Sequence, residues 1–165
     1  MVGKGKLINM GLTIAFVERI GFKLFGKKHF LGCFPADIHP NVKKKKVFSI
    51  IFNLSQHNEE GTHYIAIFAN EKEIIYFDSY GKKCTNKNIL KFIQKEKDNR
   101  HFKISNKQIQ DCKSNFCGYF CLGFIFSQQI GLSFSKFLGF FIKNHDNLFL
   151  NDEIIIFFIK CLVKK

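Results

Sequence analysis

The pattern of apolar and polar positions divides the chain into short strands and amphipathic helices. Residues 11–26 are apolar but interrupted by Glu18, Arg19 and Lys23, which predicts an amphipathic helix behind a basic leader. Phe30-Leu31-Gly32-Cys33-Phe34-Pro35 reads as an extended segment. Val47–Leu54, His63–Ala69 and Glu73–Asp78 are short runs rich in β-branched and aromatic residues, the signature of buried strands. Only Asn70-Glu71-Lys72 separates the last two, which predicts a hairpin, and Ser79-Tyr80-Gly81 leaves it through a turn. Helical spacing returns at Asn86–Glu96 through Ile89, Leu90, Phe92 and Ile93, and Phe102–Ile104 reads as a short strand. From Cys117 to Ile130 apolar residues occupy nearly every face, so this helix is expected to be central and buried, ending at Gly131. Phe134–Lys143 and Asp152–Val163 read as two further helices.

This order of elements predicts an α+β domain, a central mixed β-sheet with flanking helices. With 165 residues, 46% of them apolar, the chain is long enough for one sizeable core. A single domain is expected over 1–165: a basic N-terminal helical segment at 1–29, a catalytic core at 30–143 and a C-terminal helix within 144–165. No uninterrupted apolar stretch reaches the length of a spanning helix, so no membrane partner is expected.

Charge changes the picture more than length does. The formal net charge is +13, and a surplus of that size attracts polyanions such as nucleic acid or acidic membrane. The run Lys43–Lys46 by itself reads as a solvated loop. The basic residues are nearly all lysine, and Lys, Phe, Ile and Asn share A/T-rich codons, so genome composition accounts for part of the bias. Cysteines stand at 33, 84, 112, 117, 121 and 161. With no secretory signal legible, reduced thiols inside a cell are expected in place of a secreted disulfide framework.

One of those cysteines has the surroundings of a nucleophile. Cys117 opens the buried helix, where backbone N–H groups and the helix dipole favour a thiolate, and Gly118 leaves room for an incoming carbonyl. A nucleophile needs a base, and the base an orienting partner. His63 begins one strand of the hairpin and Asp78 ends the next, so strand pairing brings them together at its open end. Gln110 lies in a polar loop ahead of Cys117 and can offer an amide N–H to an oxyanion at the same centre, with Gln108 as its neighbouring rival. A zinc site from Cys112, Cys117, Cys121 and His101 is the other chemical reading. Its spacings lack the paired C-x2-C of structural zinc, so no metal is expected.

The ordered set GTHYIAIF (61–68), IIYFDSYG (74–81), Gln110 and Cys117-Gly118-Tyr119-Phe120-Cys121 resembles the adenovirus proteinase family. That family includes proteases of adenovirus-like mobile elements and viruses. Phe30-Leu31-Gly32 is similar to a segment that recurs before its first strand, and the resemblance covers roughly residues 28–140. It implies a papain-like, adenain-like arrangement with the nucleophile at the N-terminus of a buried helix. By position, Cys117 attacks, His63 is the general base, Asp78 orients it and Gln110 polarises the carbonyl. The implied activity is a cysteine endopeptidase that cleaves viral or mobile-element precursor proteins, commonly after glycine, during virion maturation.

The same resemblance implies a monomer with protein substrates, working in the virion and the host cell interior. The sequence requires no cofactor. Stimulation by DNA, through the Lys-rich surface, or by an activating peptide is implied by the family. Cys84 and Cys112 are candidates to hold such a peptide, though neither aligns with the family's cysteine. Asp78 stands where the adenovirus enzyme has Glu, and Tyr64 where the family usually has Trp. Two alternatives share these residues: a protease for SUMO- or ubiquitin-like modifiers, and a non-catalytic basic nucleic-acid-binding virion protein.

Overall fold

A computed structural model describes residues 12–42, 45–59 and 61–164. The basic leader through residue 11, with Lys43 and Lys44 of the charge run, lies outside the described residues.

The first helix, α1 (Ile14–Phe25), starts where the Thr13 hydroxyl accepts from Phe16 N–H, one of the donors a helix start leaves unpaired. Five strands follow: β1 (Phe30–Pro35), β2 (Phe48–Asn53), β3 (Tyr64–Ala69), β4 (Glu73–Phe77) and, after helix α2 (Lys87–Lys97), β5 (His101–Ile104). They form one mixed sheet in the order β1-β2-β3-β4-β5. The two central pairings are antiparallel and the two edge pairings parallel. The extended segment 30–35 is thus an edge strand, and Pro35, which lacks an N–H, closes it where no ladder donor is needed. The β3–β4 hairpin is pinned by Asn70, whose side-chain oxygen accepts from Lys72 and Glu73 N–H at 2.8 and 2.9 Å.

Both faces of the sheet are covered, which is why β2 and β3 are buried at every position. Ile50, Phe52, Ile65, Ile67 and Tyr76 meet Ile89, Phe92 and Ile93 of α2. On the opposite face Ile51, Ala66, Ile75 and Phe77 meet α1 and helix α3 (Cys117–Gln129). Behind them stand α4 (Phe134–Ile142) and α5 (Leu148–Lys164). Helix α3 is the central one because it lies between the sheet and α5. Phe124 on its sheet-facing side stacks on Phe77 at 4.6 Å, while Gly123 faces Ile155 of α5.

The fold is α+β, as the element order predicts. The largest boundary difference is at α5, which starts at Leu148, ahead of the expected Asp152. Asp152, the expected first residue, is buried inside the helix together with Asn151. The Asn151 amide donates to Ile109 O at 3.0 Å and Phe141 O at 3.1 Å, fastening α5 to α4 and to the loop before α3.

Candidate active site

The hairpin and the start of α3 meet at one end of the sheet, and Cys117, His63 and Asp78 meet there. His63 immediately precedes β3 and Asp78 immediately follows β4. The imidazole Nε2 donates to Asp78 Oδ1 at 2.9 Å, with Asp78 only 2% exposed. The same oxygen accepts Tyr80 N–H at 2.8 Å. The Asp78 backbone is fixed in turn by Ser105, whose hydroxyl accepts from Asp78 N–H and donates to Asp78 O, both at 2.8 Å. With Nε2 committed to the carboxylate, Nδ1 is the ring nitrogen left for Cys117, whose sulfur is close enough to help raise the imidazole's pKa.

Cys117 is the first residue of α3 and is nearly buried. Tyr64 N–H donates to its sulfur at 3.4 Å. The helix has Phe116 at its cap position, which offers no side-chain cap to the first turn. Tyr119 N–H is taken up by Phe116 O at 2.9 Å, which leaves the Cys117 and Gly118 N–H groups as the helix-start donors beside the sulfur, where an oxyanion could be received. Cys117 lies on a cleft of about 620 Å³ lined also by Thr13, Gly61, Thr62, Tyr64, Tyr80 and Asn115.

Gln110 and Gln108 are told apart by burial. Gln108 is exposed, whereas Gln110 is completely buried. The Gln110 carbonyl accepts from Ser79 Oγ at 2.6 Å. Its amide nitrogen donates to Ser114 O and Ser114 Oγ, each at 3.0 Å, and to Tyr80 Oη at 3.2 Å. As folded, the Gln110 amide thus braces the loop that leads into Cys117. Cys121 is buried within α3, where burial pushes its thiol well up from the ordinary value. Among the described residues no group of three metal-binding side chains converges.

Tyr80 is the site residue that sequence reading missed. Its ring stacks on the His63 imidazole with centroids 4.7 Å apart and planes 23° from parallel. The signal was present in the hairpin: Ala66 pairs with Phe77, and three residues beyond each stand His63 and Tyr80.

Burial alone would hold His63 neutral, but the hydrogen bonds and charges of Asp78 and Cys117 outweigh it and push its pKa up to about 9. A folded-state value above the ordinary 6.5 stabilises the fold fully below pH 6.5, and that contribution is lost as pH rises through about 9. Asp152, raised to about 6 by burial, titrates below this window. Urea midpoints are therefore expected to fall between pH 6.5 and 9 by the equivalent of about 3 kcal/mol. His63→Gln removes that slope, and a wild-type slope that survives in this variant would assign it to another group.

By sequence, the chain matches no protein-family model and no curated protein. By structure, it superposes on the ASFV pS273R protease with a TM-score of 0.61 at 17% identity, over 87% of this chain and 67% of that one. A deletion variant of AvrA, solved with IP6 and CoA, matches with a TM-score of 0.51 at 13% identity, over 83% and 54% of the two chains. ChlaDub1 from Chlamydia trachomatis gives 0.49 at 13% identity, over 75% and 63%. Another ASFV pS273R protease structure is matched over 38% of its length, so this chain spans at most 67% of these neighbours. The α+β fold of this chain is the fold of the ASFV protease.

Proposed function

We propose that the chain is a cysteine endopeptidase of adenain-like type, with Cys117 as nucleophile, His63 as general base and acid, Asp78 as its orienting carboxylate and Gln110 at the oxyanion hole. The observation that carries this reading is the imidazole held between a buried carboxylate and the sulfur of a residue at a helix N-terminus, on a cleft. The shared fold with a viral protease supports it.

The Cys117 thiolate attacks a peptide carbonyl, forming a C–S bond while the π electrons move to oxygen. The first-turn N–H groups of α3 stabilise that oxyanion. Gln110 adds a donor by releasing one of its bonds to Ser114. As the oxyanion collapses, the C–N bond breaks and the His63 imidazolium gives its proton to the leaving amine. His63 then takes a proton from water, whose oxygen attacks the thioester. The C–S bond breaks and the thiolate returns.

Precursor proteins of a virus or mobile element, cut after glycine during maturation in the virion or host cell, are the proposed substrates. The motif resemblance and the viral protease neighbour support that choice. The test is pH-dependent alkylation of the folded chain with iodoacetamide, mapping each labelled cysteine. Fast, selective labelling of Cys117 that depends on His63 establishes the activated pair. Labelling led by the exposed Cys112 or Cys161 refutes it.

DNA is proposed as a surface ligand on the strength of the +13 charge. Lys45, Lys46, Lys95, Lys97 and Arg100 line a hollow of about 770 Å³ beside α2, with Glu96 and Asp98 the acids among them. Duplex binding is expected to weaken about a hundredfold between about 50 and 200 mM salt, as release of several counterions requires. A flat salt response in a filter or anisotropy titration would exclude phosphate contacts as its source.

A further inference from the structure

We infer that Tyr80 is a positioning residue of the peptidase proposed above, its ring holding the His63 imidazole in plane and favouring the imidazolium. This rests on the proposed reading and adds a residue to it. The ring lies 4.7 Å from the imidazole and 23° from parallel, a stacked geometry in which a phenol's π face attracts a cation. Three further contacts fix the phenol. Its backbone N–H shares Asp78 Oδ1 with His63 Nε2, its hydroxyl donates to Ser114 O at 3.0 Å, and Gln110 Nε2 donates to that hydroxyl at 3.2 Å.

Tyr80 therefore touches the orienting carboxylate, the imidazole and the loop that precedes Cys117. A turn residue with a purely structural task has no need to stack on the base. Tyr64, which takes the place of the usual family Trp beside the histidine, sends its hydroxyl instead to Leu12 O at 2.7 Å. The stacking surface comes from the opposite strand. Burial pushes the Tyr80 phenol up to about 12, so the hydroxyl remains a donor across the working range.

The groups that face the imidazole are Asp78, Cys117 and Tyr80, and Lys82 Nζ lies 5.3 Å from the phenol centroid. The experiment follows the His63 ring by NMR through a pH titration of the full chain, in wild type, Tyr80→Phe and Tyr80→Leu. Tyr80→Leu is expected to lower the His63 midpoint by roughly half to one pH unit, and Tyr80→Phe, which keeps the π face, to restore it. Where the Leu variant fails to fold, Tyr80→Met fills the volume without a π face and carries the same expectation.

An unchanged midpoint in a folded variant without the ring overturns the inference. Equal shifts in the Phe and Leu variants also overturn it, because they assign the effect to the hydroxyl. The titration does not depend on catalysis. If wild-type Cys117 labels with iodoacetamide no faster than Cys161, the peptidase reading fails while the midpoints still decide the stack.

Discussion

Cys117→Ala is expected to abolish peptide-bond cleavage, by on the order of 10,000-fold or more, while leaving the fold intact. The side chain loses only a sulfur, at the end of a helix and on a cleft, so the cavity left behind is small and open to solvent. His63→Ala is expected to lose as much activity but is the less clean variant. It strips a nearly buried Asp78 of its ring partner, and an uncompensated buried carboxylate itself destabilises a fold by about 3 kcal/mol or more.

Asp78→Asn separates geometry from charge. One oxygen, Oδ1, accepts both the His63 and Tyr80 donors, so the Asn carbonyl reproduces both bonds and only the negative charge is removed. Its loss should be the smaller one, about 10- to 100-fold, with the alkaline limit of activity moving to lower pH because Asp78 helps raise the His63 pKa. Single-turnover cleavage with circular dichroism on each variant makes the check. Near-wild-type turnover by folded Cys117→Ala would remove the nucleophile assignment altogether.

The fold was largely legible because both periodicities are strong and are punctuated by turn residues. The apolar runs of β2, β3 and β4, the three-residue loop at Asn70 and the all-round apolarity of α3 each follow from local pattern. The hairpin also put His63 and Asp78 at a common end, where they stand 2.9 Å apart. What the pattern could not show was the use of polar groups across long sequence separations. Asp152 was expected to open the last helix, yet with Asn151 it lies buried inside α5, because α5 packs on the loop before α3. Gln110 reads as a polar-loop residue with its amide offered to the site, yet it is fully buried, because Ser79, far away in sequence, joins Ser114 of its own loop in satisfying it. Tyr80 was visible only through strand register, which needs the pairing partner of each residue and not merely the existence of a hairpin.

Gly81→Ala is expected to destabilise the fold by about 3 kcal/mol or more, through the same turn that carries Asp78 and Tyr80. Gly81 has φ +66, and a Cβ there would lie 2.6 Å from the Lys107 carbonyl carbon and 2.8 Å from Gln108 N. Those are backbone atoms, which cannot swing aside as a side-chain tip can. The 107–110 backbone is held against this turn because Ile109 and Gln110 N–H both donate to Ser79 O. Relieving the clash means pushing away the segment that bears Gln110, so cleavage should fall together with stability. Gly131 supplies the control. Its φ is +78, but nothing lies within 4 Å of its Cβ position, so Gly131→Ala reports left-handed strain alone, about 1 kcal/mol. Gly131→Asn should recover most of that, whereas Gly81→Asn should not, since the clash is with Cβ whatever follows it. Urea midpoints of the four variants decide the matter. If Gly81→Ala cost no more than Gly131→Ala, the turn would not be packed against the Gln110 loop as tightly as the backbone distances require.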